Sequence, residues 1–466
     1  MIKYLFPERI IKSERVTGVN NLTVKKPLQI GLKEKSLAVF KKGSFVILDF
    51  GKELKGSLRL LTLKNNGAKV RVRYGESVTE TMSDIGEKNA TNDHSVRDFY
   101  IDPPTYSDQT YISSGFRFIR IDVYEGELLV KSAVAASENF DKKPIYVYNG
   151  KDEEIKKIFD TAKRTVELCA CSDYVWDGVK RDRLVWYGDL HPETLSLTTV
   201  FGKTKQVENS VSLARKEYKL PDWLNGFPSY SMWWIIVVCD YYFMTGCKKF
   251  TEKQLDYMSG LIAEMDKYVK ETGEINYPFY FTDWATFETP AAVEGVRAIN
   301  VIAVKKAIEL FKEFGLSVSV AENLLKKLNK KEVETFGRKQ IIALKCLAKG
   351  KTEREDFNEL IKGGAEGFST FMSYYILKAI AMYDKDKAVA LMKEYFGKMI
   401  DLGATTFWED FDITWAKNSF RIDELPVSGK ADIHGDFGAY CYKGFRHSLC
   451  HGWSSGVIKF IKEYCD

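Results

Sequence analysis

Apolar residues recur along the chain in two rhythms, and the rhythm changes near residue 150. Before that point the apolar runs are short, rich in β-branched or aromatic residues, and broken at glycine or asparagine: Ser44 to Phe50, Ser57 to Lys64, Ala68 to Tyr74, Asp98 to Ile101 and Arg117 to Val123. Runs of this kind are strands joined by turns. Lys69-Val70-Arg71-Val72-Arg73-Tyr74 alternates strictly, so its strand has one face on a core and one in water. The polar stretch between Glu76 and Asp93 reads as a long loop. An antiparallel β-sandwich over residues 1–145 is the expected unit.

From Lys151 the apolar positions fall three and four apart, first in Glu154 to Leu168 and then at about 193–217, 230–245, 251–270, 289–314, 318–328, 332–349, 353–401 and 453–464. That is roughly a dozen helices in hairpins, with Gly246, Gly273, Gly315, Gly350 and Gly403 as stops. No repeat marks a stacked solenoid, so residues 146–466 are expected to form a closed helical barrel. Asn139 to Gly150, interrupted by Lys142-Lys143-Pro144, is the expected linker.

Composition narrows the function. A chain of 466 residues exceeds one typical core, and 45% hydrophobic with 14% aromatic content makes it globular. A net charge of +5 is too weak and too dispersed to imply nucleic acid as a partner. The most apolar run, Met232 to Cys239, ends at Asp240, well short of the roughly 18 residues of a membrane span. No secretory signal follows Met1, so a cytoplasmic protein is expected, and a homo-oligomer is compatible with the sequence. The eight cysteines, Cys441 among them, lack CxxC spacing and read as free, mostly buried thiols; Cys169 and Cys171 have no partner pair for zinc. The five histidines form no His-Glu-x-x-His pattern, and no phosphate or dinucleotide glycine motif follows a strand, so neither metal nor cofactor is expected.

The chemistry is densest from Trp176 to Glu193, where Asp177, Asp182, Asp189 and Glu193 lie among Lys180, Arg181, Arg183, Trp176, Trp186 and Tyr187. Gly178, Gly188 and Pro192 argue for a loop feeding a helix. Carboxylates brought close raise one another's pKa, as a general acid requires, and aromatics among charges suit a sugar's apolar face and hydroxyl rim. A solvated loop neutralised by its own cations would have the same composition. Gly403 to Asp412 resembles the rim of a cleft through Trp408 and Glu409, or else a helix start capped by Thr405 or Thr406. Arg446 to Gly456 sets His451 and Trp453 around a glycine, where a structural histidine is the alternative. Asp283 and Trp284 close a further aromatic cluster that begins at Tyr277, and Pro221 to Phe227 is similar. Ser454 and Ser455 near His451 lack the Gly-x-Ser-x-Gly elbow of a serine hydrolase.

Three of these motifs, in order, resemble those of the α-L-rhamnosidases of glycoside hydrolase family 78: Asp177 to Asp189, Thr405-Thr406-Phe407-Trp408-Glu409, and Ser448-Leu449-Cys450-His451-Gly452-Trp453. Leu48 to Gly51, Tyr74 to Glu76 and Gly115 to Arg120 look like the family's β-sandwich. The resemblance implies a β-sandwich followed by an (α/α)6 barrel and hydrolysis with inversion. It implies Asp182 as general acid, Glu409 as general base, Asp177 and Asp189 as sugar ligands, and His451, Trp186, Trp284 and Trp408 as pocket lining. Arg181, Asp283 and Trp453 join these as substrate-binding candidates. The family's acid is usually Glu; Asp182 is one methylene shorter, which moves the expected acid–base gap toward the wide end of the roughly 6.5–9.5 Å of inverting pairs unless the backbone moves inward. The Cys-Pro that commonly follows the first Asp is Gly178-Val179 here, and the family's usual C-terminal β-sandwich has no counterpart after the last predicted helix. The leading expectation is an exo-acting rhamnosidase of small glycosides. A non-hydrolytic sugar-binding homologue, with Asp182 held ionised by its arginines, is the alternative. A lyase or unsaturated-uronyl hydrolase, using Arg181 and His451, is the third reading.

Overall fold

The computed structural model describes residues 2–31, 33–438 and 442–466; Cys441 lies outside them. The first part is an antiparallel sheet of β1 (Ile2–Leu5), β2 (Arg9–Thr17), β3 (Ala38–Gly75), β4 (Asp98–Ile101) and β5 (Ser107–Glu138), in the order β1-β5-β3-β2 with β4 also on β3. All five runs predicted as strands fall inside β3, β4 and β5. β3 reverses at Gly51 and Gly67, whose φ of 80° and 70° suit residues without a Cβ. Its first and last limbs therefore both pair with Phe118–Val123, one on each edge, while its middle limb pairs with Glu127–Glu138 and with Ser107–Gly115. Phe40, Leu48, Leu58, Val70, Phe116 and Ile121 fill the core between them. β1 and β2 lacked a sequence signal because they are largely exposed, with little alternation of buried positions. The stretch expected to be all loop holds one helical turn, α1 (Val78–Met82), where Ser77 Oγ accepts from the Glu80 N–H at 3.1 Å.

After residue 150 come α2 (Glu153–Cys169), α3 (Leu190–Phe201), α4 (Lys205–Glu217), α5 (Pro228–Thr245), α6 (Lys248–Glu252), α7 (Leu255–Lys267), α8 (Pro290–Glu313), α9 (Ser319–Leu328), α10 (Lys339–Lys349), α11 (Arg354–Ile361), α12 (Ser373–Ala381), α13 (Lys385–Asp401) and α14 (Val457–Tyr464). Gly246 and Gly350 end α5 and α10 in the left-handed conformation, as expected of these stops. Two expected helices are broken. The run at 193–217 parts at Gly202, and 353–401 becomes α11, α12 and α13, split by Gly363, Gly364 and Gly367 at positive φ and by Asp384, whose carboxylate caps the Lys387 N–H at 2.9 Å. No described helix is long and apolar enough to cross a membrane. The seven described cysteines are free; Cys169, Cys239, Cys346 and Cys450 are buried, the other three half-buried.

The sheet packs against the helical part through specific polar contacts. Glu53 N–H donates to Thr405 Oγ1 at 2.9 Å and Arg117 Nη1 to Gly403 O at 3.1 Å. Deeper in, Lys180 Nζ lies 3.1 Å from Glu76 and 3.1 Å from Glu80 and donates to the carbonyls of Phe445 and His447 at 2.9 and 2.6 Å. Glu76 in turn accepts from the Leu449 N–H at 2.6 Å. Glu76, Glu80 and His434 bring one ligand atom each within 4.8 Å of one another, and the Lys180 ammonium already lies between the two carboxylates.

Candidate active site

The acidic stretch is a closed loop. Asp177 N–H donates to Leu184 O at 3.1 Å, and Leu184 N–H donates back to Asp177 Oδ1 at 2.9 Å. Between these anchors Asp182 and Arg183 both take φ of 54°, left-handed values that cost a non-glycine residue roughly 1–3 kcal/mol and recur at functional sites. The chain then enters α3, with Asp189 at its N-cap and Glu193 in its first turn. A second wall comes from the stretch after α13. Glu409 N–H donates to Ser448 O at 2.9 Å and His451 N–H to Phe407 O at 3.0 Å, so 407–409 and 448–451 lie side by side; Gly452 N–H reaches Asp177 O at 2.6 Å. The capped helix start considered for Thr405 and Thr406 does not form: Thr405 Oγ1 accepts from Glu53, and Thr406 Oγ1 donates to Leu449 O at 2.7 Å.

One guanidinium joins the two carboxylates named as acid and base. Arg181 Nη1 is hydrogen-bonded to Asp182 Oδ2, and Nη2 lies 2.6 Å from each Glu409 oxygen. Two charge-assisted hydrogen bonds and the width of one guanidinium separate the carboxylates, so their nearest oxygens are roughly 7 Å apart at most. That lies toward the short end of the roughly 6.5–9.5 Å range, not at the wide end expected for the shorter side chain if the backbone did not move inward. Glu409 also accepts from the Ser448 N–H at 2.9 Å, and Asp182 Oδ1 lies 3.0 Å from His94 Nδ1. Arg181 itself stacks over Tyr442 at 4.2 Å and donates through Nε to Arg446 O at 2.7 Å. This ionic pairing holds the Arg181 guanidinium firmly charged despite its burial.

Around that pair burial favours the neutral form of the acids. Burial pushes Asp177 up to about 8, against the pull of the Leu184 N–H, with Asp182 adding to the rise. Asp189 and Glu193 are raised well above the carboxylate range, again by burial first and then by neighbouring acids. His451 Nε2 sits 3.9 Å from Asp177, 3.9 Å from Asp189 and 3.6 Å from Glu409, yet burial, aided by Arg181, lowers it to about 3, so it is an uncharged imidazole at neutral pH. Neutral carboxyls and a neutral imidazole both donate and accept, which is what sugar hydroxyls require.

These groups surround a pocket of about 50 Å³, lined by Asp177, Asp182, Asp189 and His451 with aromatic walls from Trp186, Phe227, Tyr230, Phe281, Trp284, Tyr442 and Trp453. It shares Trp284, Tyr442 and Trp453 with a chamber of about 580 Å³ that Glu409 and Asp283 also line. Of the residues named from the sequence, Asp177, Asp182, Trp186, Asp189, Trp284, His451 and Trp453 thus meet at the pocket, Arg181 bridges behind it, and Glu409 and Asp283 face the chamber. Asp283 caps a 3-10 turn at Trp284–Thr286, accepts from Ser369 Oγ, and is pushed by burial up to about 6. Trp408 lies elsewhere. It is 1% exposed and packs edge-on to Phe411 at 5.5 Å, lining neither cavity, while Glu409 to Asp412 line the chamber. Ser454 and Ser455 donate to backbone carbonyls and are not nucleophiles of a triad. His94, Tyr230, Tyr442 and the pairing of Lys180 with Glu76 and Glu80 had no motif to announce them; an isolated histidine in a polar loop is the faint signal for the first.

Residues 40–140 match the model of the bacterial alpha-L-rhamnosidase concanavalin-like domain. No curated protein matches the sequence. Among solved structures, a rhamnosidase from Klebsiella oxytoca with rhamnose bound superimposes with a TM-score of 0.77 over 100% of this chain and 96% of its own, at 18% identity. A family 78 rhamnosidase of Bacillus sp. GL1 follows at TM-score 0.72 and 17% identity, covering 96% of this chain. The fold is that of the family 78 rhamnosidases. An α-L-rhamnosidase of Streptomyces avermitilis, complexed with L-rhamnose, has it too, at TM-score 0.64 and 13% identity over 90% of this chain. The chain spans 48% of the Bacillus protein and 42% of the Streptomyces one, so within this fold it matches about half of those longer relatives.

Proposed function

We propose that the chain is an inverting, exo-acting glycoside hydrolase that releases terminal α-L-rhamnose, or a related deoxy-sugar, from small glycosides. The observation that carries this reading is the pair Asp182 and Glu409, joined by Arg181, beside a small aromatic-walled pocket lined by Asp177, Asp189 and His451. A gap of roughly 7 Å at most reaches the short end of the roughly 6.5–9.5 Å that lets an inverting pair hold a water against the sugar. Asp182 gives its proton to the leaving oxygen as the C1–O bond breaks toward that oxygen. Glu409 takes a proton from the water whose oxygen bonds to C1. For that water to enter, Arg181 Nη2 yields its place on Glu409, and Asp177, Asp189 and His451 bind the hydroxyls. The architecture behind this is proposed as a β-sandwich over 1–145 and a closed (α/α)6 barrel over 146–466. Support for closure is that α3, α5, α8, α10, α12 and α14 each contact the next and α14 contacts α3 again.

The same bridge favours one alternative: a sugar-binding homologue in which Arg181 keeps both carboxylates engaged and no proton is delivered. The test is release of rhamnose from an activated aryl α-L-rhamnoside and from an alkyl rhamnoside with a poor leaving group, by the wild type, Asp182→Asn and Glu409→Gln. The proposal expects turnover by the wild type, loss in Asp182→Asn mainly on the alkyl substrate, and comparable loss on both in Glu409→Gln, by about 10²–10⁴-fold. Rhamnose binding by calorimetry without turnover of either substrate would favour the alternative.

A further inference from the structure

His94 comes from the sheet domain, yet its Nδ1 lies 3.0 Å from Asp182 Oδ1. The contact is built from both sides. Asn92 closes the base of the His94 loop, accepting from the Arg97 and Asp98 N–H groups at 3.0 and 3.1 Å and donating to Asp98 O at 2.9 Å. Ser95 Oγ is tied to Ser114 Oγ at 3.1 Å, and Asp93 is paired with Arg446 at 2.8 Å. His94 takes φ of 61°, as Asp182 takes 54°, so each residue is held in an uncommon conformation at the point where they meet. The charged groups facing the imidazole are Asp182 and Arg181 in front, Arg183, whose Nη2 reaches His94 O at 3.5 Å, and the Asp93–Arg446 pair behind.

We infer that His94 is a positioning residue for the general acid, holding Asp182 Oδ1 so that the carboxyl faces the leaving oxygen in both of its protonation states. This rests on the proposed glycosidase reading. An acid that alternates between COOH and COO⁻ needs a neighbour able to accept from the first and donate to the second. An imidazole does both, whereas an ammonium or guanidinium only donates. Without His94, the Asp182 carboxyl is held by Arg181 Nη1 through Oδ2 and is free to turn about that bond, since Nη2 and Nε are engaged by Glu409 and Arg446 O. A side chain one methylene shorter than glutamate has less freedom to escape that pairing, so the third partner matters more here.

The test uses three substitutions at this half-exposed loop position, each checked by thermal unfolding because a φ of 61° penalises Ala and Lys more than Asn. His94→Ala should lower kcat/KM on the alkyl rhamnoside by about 10-fold or more while changing the activated aryl rhamnoside by no more than about 3-fold, since only the former needs the proton. His94→Asn, whose amide sits where Nδ1 does and both donates and accepts, should recover most of the loss; His94→Lys should not. The alkaline limb of the alkyl pH–rate profile should move in His94→Ala and return in His94→Asn. Equal losses on both substrates, no loss on either, or equal recovery by Asn and Lys would overturn the inference. A second readout is independent of turnover: the His94 ring proton resonances should shift in Asp182→Asn. A wild type inert on every rhamnoside sinks the glycosidase reading alone, while unmoved His94 resonances sink the contact itself.

Discussion

Replacing Asp177 by Asn should make the protein more stable, and more so as pH rises. Asp177 is 4% exposed, and burial raises its carboxyl from 3.8 to about 8. Folded, it keeps its proton through neutral pH; unfolded, it gives the proton up from about pH 4. Stability from this group is therefore complete below about pH 4, falls as pH climbs toward 8, and levels off beyond. At pH 7 the span already crossed, from 3.8 to 7, is worth roughly 4 kcal/mol at about 1.4 kcal/mol per unit, an upper limit for one buried group. Asn carries no proton to lose, and its amide oxygen can still accept from the Leu184 N–H, now at 2.9 Å to Oδ1. Thermal unfolding of both proteins between pH 4.5 and 8.5 measures the effect. The two curves should nearly coincide at the acid end and separate by several degrees at pH 8, with the variant above. A separation that stays constant with pH, or a variant that falls below the wild type as pH rises, would refute the reasoning. If Asp177 binds a sugar hydroxyl as proposed, the stabilised protein should also bind rhamnose more weakly, a gain in stability at the expense of function.

Other substitutions test the frame around the site. Lys180→Met leaves Glu76 and Glu80 buried without their ammonium and should cost about 3–5 kcal/mol in urea unfolding, part of it recovered by adding Glu76→Gln. A Cβ on Gly452 would stand 1.7 Å from Glu193 Oε1, so Gly452→Ala should lower the melting temperature sharply. Combining it with Glu193→Ala should restore most of the loss; no recovery would mean that the glycine serves another contact.

What the sequence revealed follows how local each feature is. Alternation exposed the limbs of β3 and β5, because each has one face in a core; β1 and β2 are exposed edges with no such contrast. Helical periodicity was visible throughout, but a glycine inside a periodic run looks the same whether the helix continues or ends, so the breaks at Gly202 and at Gly363 to Gly367 were not legible. Residue type brought Asp177, Asp182, Asp189, Glu409, His451, Trp186, Trp284 and Trp453 into the candidate set, since acids and aromatics interleaved within one stretch are costly unless a cleft uses them. Trp408 entered through the cleft-rim reading of its motif and the family resemblance, and only coordinates tell that its ring packs on Phe411 instead. His94 and the partnership of Lys180 with Glu76 were hidden for another reason: each joins the sheet part to the part that follows it, about a hundred positions on, and no local pattern records a distant partner.

The seam between the halves also bears on how the protein comes into being. Glu76 finds its hydroxyl and amide partners at Ser448 and Leu449, 372 and 373 positions later. At the roughly 5–20 residues per second of synthesis, the sheet waits roughly 20–70 seconds for them, long after Lys180, the ammonium partner of Glu76 and Glu80, has been made. Ser448 also supplies the N–H that steadies Glu409, 39 positions before it. A nascent chain stalled short of residue 448 would carry every charged group of the candidate catalytic pair and still lack the backbone N–H groups that hold Glu409 and Glu76.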